Sequence, residues 1–408
     1  MRVLVKDEKL KVVWLCGFTN DFVQDVIKPW KRVDEIAPWI SSLIKIFEGN
    51  SSIELHVISP HQWISGYKTF ISKDVTYHFF NQGMPFIGRR WFSFVPIDLW
   101  SNYYFVKKHV SRIINKINPD IIHLHGAENT YHTNAIFQFQ SEYPVFVTVQ
   151  GILSNSAFAV SSKNKRTLKR LANEQRVYSM FKHFGYRTET MREDIIKRSP
   201  SAILHWHDYP MKKIEQIESE KRFDLVFFAR ITKEKGIDDL LQAVSLIKKT
   251  KNDVSLCVMG GGKFDNLKKK AKELNITDNV YWVGFLPTQA EVHKMAVQAK
   301  ISVLPTYNDI ISGTIVESLF LKIPVVAYNV GSIHEVNKYN DIITLIPRGD
   351  VQELSDAIFQ LLNDKNLQKE KAELGYYRAL EMFSMSNEEI RNDLLRAYMA
   401  TINDFKNS

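Results

Sequence analysis

The chain has 408 residues, 45% hydrophobic and 24% charged, which is ordinary for a soluble globular protein and long enough for two domains. Two cysteines, Cys16 and Cys257, exclude a disulfide framework and point to a reducing compartment. There is no signal-peptide core and no apolar run of ~18 residues, so a cytoplasmic protein is expected.

In chain order, residues 10–18 (LKVVWLCGF) read as a buried strand. Residues 34–47 follow as a helix, with Asp34 near its N-cap and Ile36, Trp39, Ile40, Leu43, Ile44 and Phe47 at helical spacing. The next strand is 53–60. An aromatic, irregular stretch spans 61–100. A helix is expected over 103–117, a strand over 120–126, a short helix over 133–140 and a strand over 145–151. The second half repeats the pattern more cleanly. Strands at 224–231, 254–262, 280–285 and 301–306 alternate with helices at 236–249, 265–276 and 289–299. Continuous apolar strands alternating with helices mean parallel sheets covered on both faces. The fold class is α/β, with two doubly wound domains. The expected boundaries are 1–209, a polar linker at 210–222, a second domain at 223–382 and a last stretch at 383–408. That last helix has no strand after it and is expected to cross back to the first domain.

The net charge of +9 is uneven, because 160–200 holds 11 Lys/Arg against 4 Asp/Glu. The segment reads either as a solvated helical face or as a surface for anionic lipid or a polyphosphate-bearing carrier. No recognition motif supports nucleic acid. His123 and His125 alternate on a strand, as do His205 and His207. Without a CxxC or HExxH partner, a surface or cleft role is expected for them rather than zinc.

The most informative stretch runs from Thr306 to Val336. Asp309 stands eight residues before Glu317, and the small-residue turn between them opens a helix. A Pro-led strand, 324–328, follows, then a second turn at Gly331-Ser332 with Glu335 behind it. A helix start offers backbone N–H groups and a positive dipole end to phosphate, while the carboxylates accept bonds from vicinal hydroxyls. Phosphate and hydroxyls together suggest a nucleotide sugar. Arg230 ends the first strand of the second domain, and Lys235 lies at the next helix start. Outside strand ends, two cations can face a diphosphate and neutralise charge as it leaves. Gly260 to Gly262 either cradle a phosphate or make a tight turn. No GxGxxG spacing supports a dehydrogenase. Gly284 closes the strand 280–285, where a base could lie. In the first domain, Gly17 permits close backbone approach to a ligand, and Gln150 can donate and accept hydrogen bonds at a strand end.

Together, ARITKEKGI, VGFLPTQAEVHKM, the Asp309 to Glu317 segment and IPVVAYNVGSIHEV resemble the retaining glycosyltransferases of family 4. The resemblance is strong over 223–364 and moderate through DIIHLHG, VTVQGIL and FGYRTETMREDI. It implies the GT-B fold, two Rossmann-like domains facing a cleft, and catalysis without a metal or other cofactor. By carry-over, Arg230 and Lys235 bind the donor diphosphate, Glu317 holds the ribose hydroxyls and Asp309 holds hydroxyls of the transferred sugar. Backbone N–H groups of Ser312, Gly313 and Thr314 contact phosphate or sugar. The implied reaction moves a sugar from a nucleotide donor to a glycan or lipid-linked acceptor in capsule, exopolysaccharide or O-antigen synthesis, at the inner membrane face. Two positions depart from the family. Asp309 stands where Glu is usual, and Gln150 stands where His is frequent, so acid–base work at 150 is not expected. Those departures keep two alternatives open, a GT-B nucleotide-sugar epimerase and a silent GT-B module that binds glycan or a partner.

Overall fold

The structure, a computed structural model, describes residues 9–19, 37–50, 52–61, 64, 66–83, 97–211, 213–383 and 385–408. Asn20, Asp34, Ile36 and part of the aromatic stretch, including 84–96, therefore lie outside the described residues. The chain divides into two compact units, Met1–Pro210 with Met385–Ser408, and Met211–Ser384. Each is a mainly parallel sheet dressed with helices. Among the described residues, no helix is long and apolar enough to cross a membrane.

The first unit contains β1 (Leu10–Leu15), β2 (Ile53–His61), β3 (Tyr67–Ser72), β4 (Val75–Asn81), β5 (Ile121–His125), β6 (Val145–Thr148), β7 (His183–Tyr186) and β8 (Ile203–Trp206). They form one sheet in the order β3-β4-β2-β1-β5-β6-β7-β8. Every pairing is parallel except that of β3 with β4. The central strands are buried on both faces because helices cover both. The helix Asn387–Asn407 belongs to this unit. It starts at a capping box of Ser386 and Glu389. Its Ile390, Leu394, Tyr398 and Ile402 pack with Trp14 and Leu55. The Tyr398 hydroxyl accepts from Trp14 Nε1 at 2.8 Å and lies 2.7 Å from His123 Nδ1.

The stretch 61–100, expected to be irregular, contains the β3–β4 hairpin. Its turn residues Lys73 and Asp74 both have positive φ, 48° and 66°. Asn or Gly normally signals that conformation, and neither is present. β3 also lacks a buried stripe, being largely exposed along its length.

The second unit contains β9 (Phe223–Phe228), β10 (Leu256–Met259), β11 (Val280–Gly284), β12 (Ala299–Leu304), β13 (Val325–Tyr328) and β14 (Thr344–Ile346). The order is β11-β10-β9-β12-β13-β14, parallel throughout. Leu225, Phe227, Leu240, Val258, Val303, Ile315 and Val326 build a continuous core between sheet and helices. The stretch 210–222, expected as a linker, belongs from Met211 onward to this unit. Met211, Ile214 and Ile217 pack against its core, and Lys221 Nζ donates to the carbonyls of Val297 and Ala299 at 2.9 and 2.8 Å. Strand order reverses between β9 and β12, and ligands of open parallel sheets bind outside the carboxyl ends of strands at such a point.

Candidate active site

The residues singled out in the second unit gather at that switch point. Beyond β9, Arg230 is exposed and, among the described residues, pairs with no carboxylate. Lys235 ends the 3-10 turn Lys233–Lys235, and Gly236 carries the chain into the helix Ile237–Lys248. Gly236 has φ 73°, and a Cβ there would fall 1.8 Å from the Pro305 carbonyl oxygen. Only glycine lets the loop after β9 press so closely on the loop after β12. Tyr307 N donates to Glu234 O at 2.7 Å across the same contact. The result is a 2.6 Å ion pair between Lys235 Nζ and Asp309 Oδ2, the side chains only 14% and 19% exposed. The same carboxylate oxygen accepts from Thr306 Oγ1 at 2.8 Å. The Tyr307 and Tyr328 hydroxyls both donate to Asp239 Oδ2, at 2.5 and 2.8 Å, and so brace the loop from behind. Burial first, and then that bond to Asp239, push the Tyr307 phenol up to about 12.

The turn at Gly331-Ser332 supports the Asp309 loop from the other side. Gly331 has φ 54° and sits so close that a Cβ would lie 1.8 Å from the Asp309 carbonyl. Ser332 N donates to Ile310 O at 2.9 Å. Glu335 lies in the 3-10 turn Ile333–Asn337 behind it. Ser312 starts the helix Gly313–Phe320 with no side-chain cap, and the space where a Gly313 Cβ would project is open. The Thr314 hydroxyl donates to Phe228 O at 2.7 Å, tying the helix start to the end of β9. Glu317 lies one turn further on. Its Oε2 accepts from Gln289 Nε2 at 2.7 Å and is 3.6 Å from His293 Nε2. Gly284 O accepts from Gly260 N at 2.8 Å, and Gly261 O accepts from Ile231 N at 2.9 Å. The glycine run therefore serves as a tight turn knitting three strand ends together.

The two first-unit positions lie at the ends of β1 and β6. A Cβ on Gly17 would be 3.5 Å from His132 Cε1. The Gln150 side chain passes close to Gly126. Beside it lies Glu128, whose carboxyl is pushed above its usual range by burial. Among the described residues, no group of three or more His, Cys, Asp or Glu could hold a metal ion.

Residues 210–378 match the family described as Glycosyl transferases group 1. That part of the chain is similar to the glycosyl transferases group 1. N-acetyl-alpha-D-glucosaminyl L-malate synthase of Bacillus anthracis is 26% identical over 201 residues, 49% of this chain and 51% of that protein. The putative teichuronic acid biosynthesis glycosyltransferase TuaC of Bacillus subtilis is 23% identical over 331 residues, 75% of this chain and 80% of that one. The chain spans about half the length of the first curated relatives it matches. Among solved structures, sucrose-phosphate synthase from Thermosynechococcus elongatus superposes with a TM-score of 0.76 at 16% identity, covering 97% of this chain and 100% of that one. The fold is GT-B, two Rossmann-like parallel-sheet domains.

Each unit also holds neighbours of the singled-out residues that sequence reasoning missed. Gln289 and His293 hold Glu317, Thr306 holds Asp309, and in the other unit Glu128 stands beside Gln150. Gln289 and His293 are spaced i, i+4 on one helix, the only signal that they share a face. The histidines were expected at a surface or cleft. Instead His123, His125 and His207 are at most 1% exposed, because they alternate onto the face covered by Trp14 and Tyr398. The basic segment is not one solvated face either. Arg166 pairs with Asp98, Arg170 with Glu128 at 3.8 Å and Arg198 with Asp194 at 3.2 Å.

Proposed function

We propose that this chain is a retaining glycosyltransferase. It moves a sugar from a nucleotide-diphosphate donor to a glycan or lipid-linked acceptor in cell-envelope polysaccharide synthesis, at the cytoplasmic face of the membrane. The observation carrying this reading is the Lys235–Asp309 pair beside the uncapped start of Gly313–Phe320, at the switch point of a parallel sheet. The likeness to a teichuronic acid glycosyltransferase supports the envelope setting.

In this reading the diphosphate lies against the helix start and the backbone N–H groups of Ser312, Gly313 and Thr314, where the dipole favours negative charge. Arg230 and Lys235 neutralise the diphosphate as the glycosidic bond breaks, and their charge takes the place of a metal ion. Glu317 accepts from the ribose hydroxyls with the oxygen that Gln289 does not occupy. Asp309 orients Lys235 through Oδ2 and offers Oδ1 to the transferred sugar. The nucleoside base lies towards Gly284. The first unit binds the acceptor, while its Gly17 allows close backbone approach to a ligand and its Gln150 hydrogen-bonds the donor sugar. Gln150 cannot take a proton at neutral pH, so the acceptor proton passes to the leaving phosphate. Attack from the face the diphosphate leaves gives retention.

The test is acceptor-dependent release of nucleoside diphosphate from a nucleotide-sugar panel, with the product anomer read by NMR. Release that needs an acceptor, with the donor's anomeric configuration kept, is expected. An inverted product contradicts retention, epimer formed without acceptor selects the epimerase, and binding without turnover selects the silent module.

A further inference from the structure

We propose that Glu174, with Asn173 beside it, is a positioning residue for the first unit's ligand loops. It fixes the segment that carries Gln150 where that side chain meets the donor sugar. The inference rests on the donor reading given above and deepens it.

The grip comes from one face of the helix Lys165–Met180. Arg170, Asn173 and Glu174 are spaced i, i+3 and i+4, so they project from the same side. Glu174 is 2% exposed and meets the 3-10 turn Leu153–Asn155, which starts three residues beyond Gln150. Its Oε1 accepts from Leu153 N at 2.5 Å and its Oε2 from Ser154 N at 3.0 Å. Asn173 Nδ2 donates to Asn129 O at 3.2 Å, and the Arg170 guanidinium lies 3.8 Å from Glu128 Oε1. One helix thus holds the loop after β5 and the loop after β6 together. From the helix Glu189–Arg198, Arg198 donates to Ser154 Oγ at 3.1 Å and to Asn155 Oδ1 at 2.7 Å. The turn is therefore held from two sides.

Two observations separate this arrangement from ordinary loop packing. The first is the use of a buried carboxylate. Glu174 pairs with no cation among the described residues, so the two amides it accepts are what stabilise its charge. With both oxygens on successive amides, it sets the orientation of the turn as well as its position. The second is that the two loops converge on one point. A Cβ on Gly126, whose φ is 90°, would lie 3.3 Å from Gln150 Oε1 and 3.4 Å from Glu128 Oε2. Glu128 Oε2 is buried and accepts from nothing among the described residues. Two oxygens able to accept therefore border the same space, and sugar hydroxyls are groups that donate to both. Glu174 reaches this pair electrostatically as well. Burial first, and with it the Glu174 charge, raise the Glu128 carboxyl against its own backbone and Arg170.

The test combines amide hydrogen exchange with isothermal titration of the full chain. Glu174→Gln is isosteric, but its amide sets an N–H against Leu153 N or Ser154 N. Asp120→Ala is the control, since it removes the acceptor of Lys11 N, 2.8 Å away, before β5 at the opposite end of the sheet. In Glu174→Gln, exchange should quicken over 126–130 and 150–156 and stay slow in β1 and β5. Free UDP, GDP, ADP and CDP should bind it as they bind wild type. The sugar conjugate that wild type prefers should lose roughly tenfold in affinity, the scale of one neutral hydrogen bond. Asp120→Ala should show neither change. Unchanged loop exchange in Glu174→Gln, or equal losses for a diphosphate and its sugar conjugate, would overturn the positioning role. Wild type that binds no diphosphate contradicts the donor reading itself, and the role falls with it. Wild type that binds a conjugate, beside Glu174→Gln with undiminished affinity for it, overturns the role alone.

Discussion

At the scale of single residues, Lys235 and Asp309 form one device. Each is mostly buried, and Asp309 Oδ2 is shared between Lys235 and Thr306. Replacing Lys235 by Ala removes the cation proposed to face the leaving group. The expected loss is about 10²–10³ in kcat, the scale for losing one preorganised charge-stabilising donor. Near-wild-type kcat in steady-state assays would remove Lys235 from the chemistry. Gln289 acts through Glu317. Gln289→Ala should raise the donor KM several-fold and leave kcat near wild type, because it loosens a contact made equally in ground and transition states. A fall in kcat at unchanged KM contradicts that role. Lys235, Asp309 and Glu317 are legible in the sequence because the chain places them in one short span or at a strand end. Gln289 and Thr306 are not legible as partners, since the 28 residues from Gln289 to Glu317 close only through the sheet. His123 and His125 show the converse failure. Alternation gave their strand, but nothing local says that both faces of that strand are covered.

At the scale of elements, the site depends on two loop ends meeting. Gly236 makes that meeting possible, since it needs both a positive φ and a missing Cβ. Gly236→Ala should cost at least ~2 kcal/mol, about 1–2 from the left-handed backbone and more from the overlap with Pro305. Chemical denaturation with the m-value checked measures it, and an unchanged midpoint would contradict the geometry. The second unit's strands and helices are largely readable from apolar runs and turn residues, because continuous hydrophobic strands bounded by Gly and Pro are a strong signal. The β3–β4 hairpin is not readable, because its turn uses Lys73 and Asp74 and its edge strand faces solvent.

At the scale of the whole molecule, buried histidines make the chain sensitive to acid. Burial holds His61, His78, His132 and His205 down to about 4 and His207 to about 3. Their unfolded values lie near 6.5. Between those limits the unfolded chain binds more protons, so stability falls as pH drops. The contribution is complete above about 6.5, is lost progressively towards 4 and changes little below that range. Asp98, held low by Arg166 against the opposing effect of burial, adds a loss in the same direction at still lower pH. Glu128 and Asp208, raised by burial, oppose the trend. The melting temperature should therefore fall steadily from pH 7 to pH 4. A flat profile over that interval would mean the histidines are hydrated in the folded state.

The central claim is a nucleotide-sugar site at the β9/β12 switch point. Thermal unfolding of wild type, Lys235→Ala and Glu317→Ala against UDP-, GDP-, ADP- and CDP-sugars tests it most directly. One nucleotide class at about 100 times its dissociation constant should stabilise wild type by roughly 2.7 kcal/mol. Both variants should melt as folded proteins and lose most of that shift. No shift with any donor, or the same shift in all three proteins, would contradict the site.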